Sequence, residues 1–385
     1  MRNLLSRRDF LKLAGLGVGS LAFKPLGRSG QDPFERLSRV YLPPLQFPGG
    51  ERLGRVSVYP NLYSTDLKAK PNAYSATLGS LSEDTVVEWV RSVIGSDTYS
   101  AGNTVFQGSS KTWAETPQGY VYASHLQPVK NLVNTPLTTL PEGQSGFWAE
   151  VTLPYVDLVL ENPPVRSPSF NYLMSLGQTP RLYYSQVVWI DQIRADESGR
   201  LWYRFNETMG KGYGYGDIFW ADASAFRPIT AEDIAPIHPE VDPALKAIIV
   251  DVFYQTLSCY EGNTEVHFCK VSTGIGDFAT PLGTQAVWRK MPSIHMSANT
   301  ASDSGYDTPA VGWPSFINGD GVAIHAVFWH NDFGVRKSHG CINVTPEDAK
   351  WIFRWTYPYI SLEQDEIQMT WPNVGTPVTV KEPTF

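Results

Sequence analysis

Cysteine is scarce: three in 385 residues are too few for a disulfide scaffold, and the odd number leaves at least one thiol free or paired elsewhere. Long apolar runs are missing as well. The longest, Leu13 to Phe23, falls short of the roughly 20 residues that a membrane-spanning helix requires. Basic residues do not dominate anywhere; the net charge of -7 is spread thinly, which excludes a footprint for nucleic acid and a polybasic membrane patch. Sustained helical periodicity is equally rare. What the chain has instead is 29 Pro, 32 Gly, 12 Trp and 19 Tyr, the composition of many short strands joined by turns. The length allows two or three domains.

The first 23 residues differ from the rest. Arg7 and Arg8 precede Phe10, Leu11 and Lys12, and the apolar run "LAGLGVGSLAF" follows, its length suited to the core of a signal peptide. This segment, 1–23, resembles a twin-arginine export signal, which implies passage through the twin-arginine machinery to the periplasm or cell wall. Outside the cytoplasm a spare thiol is exposed to oxidation, so each remaining cysteine calls for a reason.

Residues 24–50, rich in Pro and Gly, read as a linker or arm. Short strands then recur. One set occupies 51–135 and closes on "LQPV"; a second occupies 136–242 and closes on "FRPI". The spacing suggests two small β-barrel-like repeats, with a single larger β-domain as the competing arrangement. A third unit covers 243–385. It opens with a hairpin, "AIIVDVFYQTLSCYEGNTEVHFCKVSTG", turning at Glu261-Gly262-Asn263. A turn centred there places Cys259 opposite Val266 and Cys269 opposite Thr256, as apolar strand residues rather than a disulfide. Residues 297–321 read as a glycine- and serine-rich loop, and "GVAIHAVFW" as a strand. Thr345 reads as a helix N-cap, with Pro346 at the first helical position and Glu347 and Asp348 in the first turn.

The chemistry concentrates in "VRKSHGCINV", Val335 to Val344. A thiol becomes a nucleophile when a neighbouring base raises its thiolate fraction, and His325, His330 and His339 all lie within sixteen residues of Cys341. Position in the chain does not choose among them. The same residues could form a mixed His/Cys zinc site, but their spacings match no standard ligand pair such as C-x2-C or H-x3-H. A buried, inert cysteine is the third reading.

From Ala247 to about Val380 the sequence resembles the L,D-transpeptidase catalytic domain family of YkuD type. "IVDVFYQTLSCYEG", "VSTGIGDFATPLG", the "IHA" strand and "SHGCIN" carry the likeness. The resemblance implies a mainly β fold: an L,D-transpeptidase-type β-sandwich with a short helix after the nucleophile, preceded here by the two barrel-like repeats. It implies Cys341 as nucleophile and His325 as proton donor and acceptor, oriented by the carbonyl of Ala326. Ser338, His339 and Gly340 would shape the nucleophile loop, with amides near Gly340 and Cys341 as the oxyanion hole. Thr280, Asn343 and Arg336 would contact substrate, and His330 would be dispensable. Asn343 stands where many members have arginine, and Ala326 where Gly, Ser or Asn is common. The implied substrate is a peptidoglycan stem peptide and the implied reaction cysteine acyl transfer with loss of D-alanine, needing no metal and no cofactor. An L,D-carboxypeptidase using water as acceptor and a non-catalytic wall-binding protein are the alternatives. A monomer is expected.

Overall fold

The structure, a computed structural model, describes residues 34, 44–58, 62–96, 110–209, 211–212, 214–298, 305–370 and 374–383. The signal-like segment 1–23 and most of the arm at 24–50 lie outside the described residues. The fold is mainly β. No helix among the described residues is long and apolar enough to cross a membrane.

Before residue 130, the strand Leu53–Val56 lies between Val86–Glu88 and Leu126–Val129. A five-stranded antiparallel sheet runs beside it, and Val56, Trp89, Ala114, Val121 and Leu126 fill the core. Between 147 and 228 a six-stranded sheet forms, centred on the long strand Val187–Ala195 and Leu201–Asn206. Its core is aromatic: Phe147, Phe205, Phe219 and Phe226 pack around Tyr203. Both segments finish alike, a 3-10 turn (Ala123–His125, Ala223–Ala225) leading into a short strand. Their sheets otherwise differ in strand number and order.

From Lys246 onward two five-stranded sheets face each other. The first runs Thr264–Lys270, Thr256–Glu261, Lys246–Asp251, Pro377–Lys381, Gly283–Ala286; the second runs Ile342–Val344, Ala323–Ala326, Ser315–Phe316, Arg289–Lys290, Ile367–Gln368. Ile248, Val250 and Leu257 from one sheet meet Ile324, Ala326, Ile342 and Val344 from the other, with Ile352, Phe353 and Trp355 of the helix Pro346–Trp355 in the same core. Thr345 caps that helix by accepting from the Asp348 amide, with Pro346 at its start. Its C-terminal carbonyls are closed by a buried lysine, Lys290, whose Nζ donates to Phe353, Thr356 and Pro358.

Two expectations are corrected. The opening unit has three strands, not two: the chain turns at Gln255, φ 53°, between Lys246–Asp251 and Thr256–Glu261. A bulge between Cys259 and Tyr260 shifts the next pairing by one, so Cys259 faces His267 and Cys269 faces Leu257. Within 297–321, strand Tyr306–Gly312 pairs with Ser293–Ala298, and Ser315–Phe316 joins the second sheet. The composition hid them because Pro309, Gly312 and Pro314 are turn residues elsewhere. Here the chain bends at Ala310 and Trp313, both in the left-handed region at φ 56° and 61°.

Candidate active site

Strand parity places the chemistry. Ala323–Ala326 and Ile342–Val344 pair in parallel, with Ile324 beside Ile342 and His325 beside Asn343. Alternation sends Ile324, Ala326, Ile342 and Val344 into the core, so Ala323, His325 and Asn343 share the other face, and Cys341 enters that face one residue before its strand begins. Met291, Ile294, Val311 and Phe316 pack around Ala323, with Trp329 and Cys341 against them. The thiol therefore sits in an apolar, half-buried setting.

A carbonyl can only accept. The 2.9 Å contact between His325 Nδ1 and the Ala326 oxygen thus fixes the ring proton on Nδ1 and leaves the Nε2 lone pair free for a proton. Trp329 stacks on the imidazole at 5.9 Å. Burial lowers the His325 pKa to about 4, with the Ala326 bond opposing it. Burial also pushes the Cys341 thiol up to about 11, while the Ala323 backbone N–H favours the thiolate. The resting pair is therefore neutral thiol and neutral imidazole, and the thiolate must be made by transfer rather than stored.

The loop that carries Cys341 is held from several sides. Ser338 Oγ donates to the Cys341 carbonyl at 2.5 Å and accepts from the Gly340 amide at 3.2 Å. That bond engages the Gly340 N–H. Gly340 itself has φ +113°, a conformation that L side chains rarely adopt. The Ser338 amide donates to Thr273, and the Ile275 amide donates back to Ser338. Thr280 is buried with its hydroxyl used twice, accepting from the Gly274 amide and donating to the Gly340 carbonyl, both at 2.9 Å. That arrangement makes it a brace for the loop. Gly274 allows the approach, since a Cβ there would stand 1.9 Å from the Phe278 oxygen.

The other expected residues divide. His339 is exposed between the rings of Phe278 and Tyr306 and forms a wall of the site. Asn343 is buried, its amide 3.3 Å from His330 Nε2 and its Oδ1 without a partner among the described residues. Because His330 Nδ1 accepts from the Asp332 amide, its ring proton lies on Nε2, and the Asn343 carboxamide must be turned so that its oxygen accepts that proton, which also gives the buried Oδ1 its partner. His330 is thus tied to the site and is not a bystander. Arg336 is not brought to the site: its guanidinium is bonded to the Val252 carbonyl and Glu382. Lys337 pairs with Asp332. Three neighbours escaped the sequence reading. Trp329 lies four residues past His325, Gly321 offers its carbonyl 3.7 Å from Cys341 Sγ, and Tyr306, its pKa raised first by burial, sits close enough that a thiolate at Cys341 would raise it further. Only Trp329 carried a signal, as an aromatic close behind the histidine strand.

With this geometry in place, comparison with known proteins gives the class. Residues 245–380 match the family model of the L,D-transpeptidase catalytic domain (YkuD). A Bacillus subtilis (strain 168) protein named "Putative L,D-transpeptidase YciB" is 29% identical over 129 residues, covering 30% of this chain and 63% of that protein. The chain thus spans 63% of the length of the curated relative it matches. Among solved structures, an L,D-transpeptidase of Enterococcus faecium is 26% identical, with 37% of this chain and 52% of that one covered and a TM-score of 0.29. One from Mycobacterium smegmatis is 17% identical, with 50% and 98% covered and a TM-score of 0.30.

Proposed function

We propose that the protein is an exported L,D-transpeptidase that cross-links peptidoglycan stem peptides through a thioester on Cys341. The observation that carries this reading is the parallel strand pair that puts His325, proton on Nδ1, on the face shared with Cys341. The Cys341 proton passes to His325 Nε2 as Sγ attacks the carbonyl carbon of the donor stem. A backbone amide at Cys341 faces the oxyanion while Ser338, Gly340 and Thr280 hold the loop. Collapse breaks the C–N bond to the terminal D-alanine, whose nitrogen takes the proton from His325. An amine of a neighbouring stem then attacks the thioester, loses a proton to His325 and forms the cross-link as the thiol returns. Water as acceptor would give a trimmed stem.

The remaining parts follow from this reading. Residues 1–23 act as a twin-arginine signal and deliver the chain to the periplasm or wall, where the substrate lies. Residues 51–135 and 136–242 serve as two β-modules ahead of a catalytic unit at 243–385, and the enzyme works as a monomer. Asn343 meets the substrate on the His325 face. Incubation of purified protein with a tetrapeptide-bearing muropeptide, read by mass spectrometry, tests the activity. Cross-linked dimer with loss of D-alanine is expected; tripeptide alone means a carboxypeptidase, and no turnover defeats the enzymatic reading.

A further inference from the structure

We infer that His267, Cys269 and Asp348, outside the Cys341 site, form a binding site for a single zinc-class divalent cation. His267 and Cys269 are two apart on the edge strand Thr264–Lys270, so their side chains leave the same face. Asp348 comes from the first turn of the helix Pro346–Trp355. The imidazole, sulfur and carboxylate ligand atoms all lie within 4.8 Å of one another, with His267 Nε2 and Asp348 Oδ1 at 3.0 Å. A tetrahedral zinc with ligands at about 2.0–2.3 Å needs them about 3.3–3.6 Å apart. Side-chain shifts of about an ångström complete that geometry.

The surroundings suit such a site. Trp351 stacks on the His267 ring at 4.2 Å and 12°, which fixes the imidazole plane. Thr345 Oγ1 donates to Asp348 Oδ2 at 2.6 Å, so the other oxygen, Oδ1, is the one turned to the histidine. Ligand groups oriented by a second set of contacts are the usual support of a metal centre. Cys269 is buried, and its thiol has no hydrogen-bond partner among the described residues, whereas His267 and Asp348 keep 18% and 20% of their side chains open to solvent. A cation enters from that side, and water takes the fourth position. One thiolate, one imidazole and one carboxylate favour zinc over calcium or magnesium, which take oxygen ligands.

Binding replaces the Sγ–H bond of Cys269 with a sulfur–metal bond and releases one proton to solvent. The His267 ring proton moves to Nδ1 as Nε2 gives its lone pair to the metal. The bridge joins the edge strand to the helix that follows Cys341, and lies on the core side of the sheet whose other face carries the thiol. It therefore adds stability without entering the chemistry.

The test is a cobalt titration of the metal-stripped full-length protein. A sulfur-to-cobalt charge-transfer band with four-coordinate d–d intensity should saturate at a single ion per chain and be displaced by zinc. The band should persist in Cys341→Ala and vanish in Cys269→Ser, while His267→Ala and Asp348→Asn weaken zinc binding on the order of a hundredfold each. Absence of the band in the wild-type protein overturns the inference, whatever the variants do. Loss of the band in Cys341→Ala overturns it equally, since the ion would then sit at the nucleophile.

Discussion

At the scale of single residues, the neutral thiol–imidazole pair sets a pH profile. The reactive form needs His325 unprotonated and Cys341 still holding its proton, so activity should fall on the acid side near pH 4 and on the alkaline side near pH 11. The kcat/KM profile for D-alanine release checks this; an acid limb near pH 6.5 would mean an imidazole open to solvent. Cys341→Ala and His325→Ala should both reduce release to background. Thr280 and His330 act one step away. Thr280→Val removes both bonds of the hydroxyl and leaves a buried amide and carbonyl unpaired, a loss of about 1–3 kcal/mol in stability. It should lower kcat more than it raises KM, and Thr280→Ser should recover most of the loss. His330→Ala frees Asn343 and should raise KM severalfold with a smaller change in kcat. An unchanged KM would remove Asn343 from substrate contact.

At the scale of elements, the strand Tyr306–Gly312 is clamped through a buried charge trio. His295 Nδ1 meets Glu207 at 2.5 Å and its Nε2 meets Asp307 at 2.8 Å. Burial alone would lower the His295 pKa, but the bonds to Asp307 and Glu207 raise it to about 9. Burial likewise would raise Asp307, yet His295, Ser169 and Ser167 bring it down to about 2. A pKa raised from 6.5 to about 9 gives stability that is full below pH 6.5 and lost as pH rises through 9. One lowered from 3.8 to about 2 gives stability that is full above pH 3.8 and lost as pH falls through 2. The wild-type denaturation midpoint should thus be highest between these limits and decline toward pH 9. His295→Ala, which strands two buried carboxylates, should cost about 3–5 kcal/mol and flatten the alkaline decline. A decline that persisted in the variant would assign it to another group. This clamp could not be read from the sequence, because Glu207 and Asp307 are 100 positions apart and Tyr306–Gly312 looked like loop. Local signals fared better. The capped helix at Thr345 and the turn at Gly262 are written in adjacent residues, whereas the hairpin register was missed because one bulged residue changes every partner after it. The choice of Cys341 and His325 came from the family resemblance of "IHA" and "SHGCIN", since position alone left three histidines open, and the bracing by Thr280 was not foreseen.

At the scale of the whole molecule, one arginine joins three regions. Arg55 leaves the strand Leu53–Val56, is 1% exposed, and sends Nη2 2.7 Å to the carbonyl of Phe328, three residues past His325. Its Nη1 meets Asp84 at 2.6 Å, its Nε and Nη2 meet Gln127, and its guanidinium lies 4.0 Å over the ring of Tyr183 in the middle segment. Tyr183 in turn stacks on Phe328 at 5.6 Å, and Asn331 reaches the Ala123 carbonyl at 3.1 Å. The segment after His325 is therefore wedged between both preceding β-regions. A planar, always-charged fork is suited to that junction in a way that a lysine is not. Arg55→Ala leaves Asp84 and the Phe328 carbonyl partly unpaired in a buried place and should cost about 3–5 kcal/mol. Arg55→Lys, which keeps the charge but loses the fork and the stacking, should fall between. If the junction also positions the active site, hydrogen exchange at residues 327–333 should quicken in Arg55→Lys and D-alanine release should fall with it. Faster exchange with unaltered turnover would mean that the wedge stabilises the chain and leaves His325 where its own strand puts it.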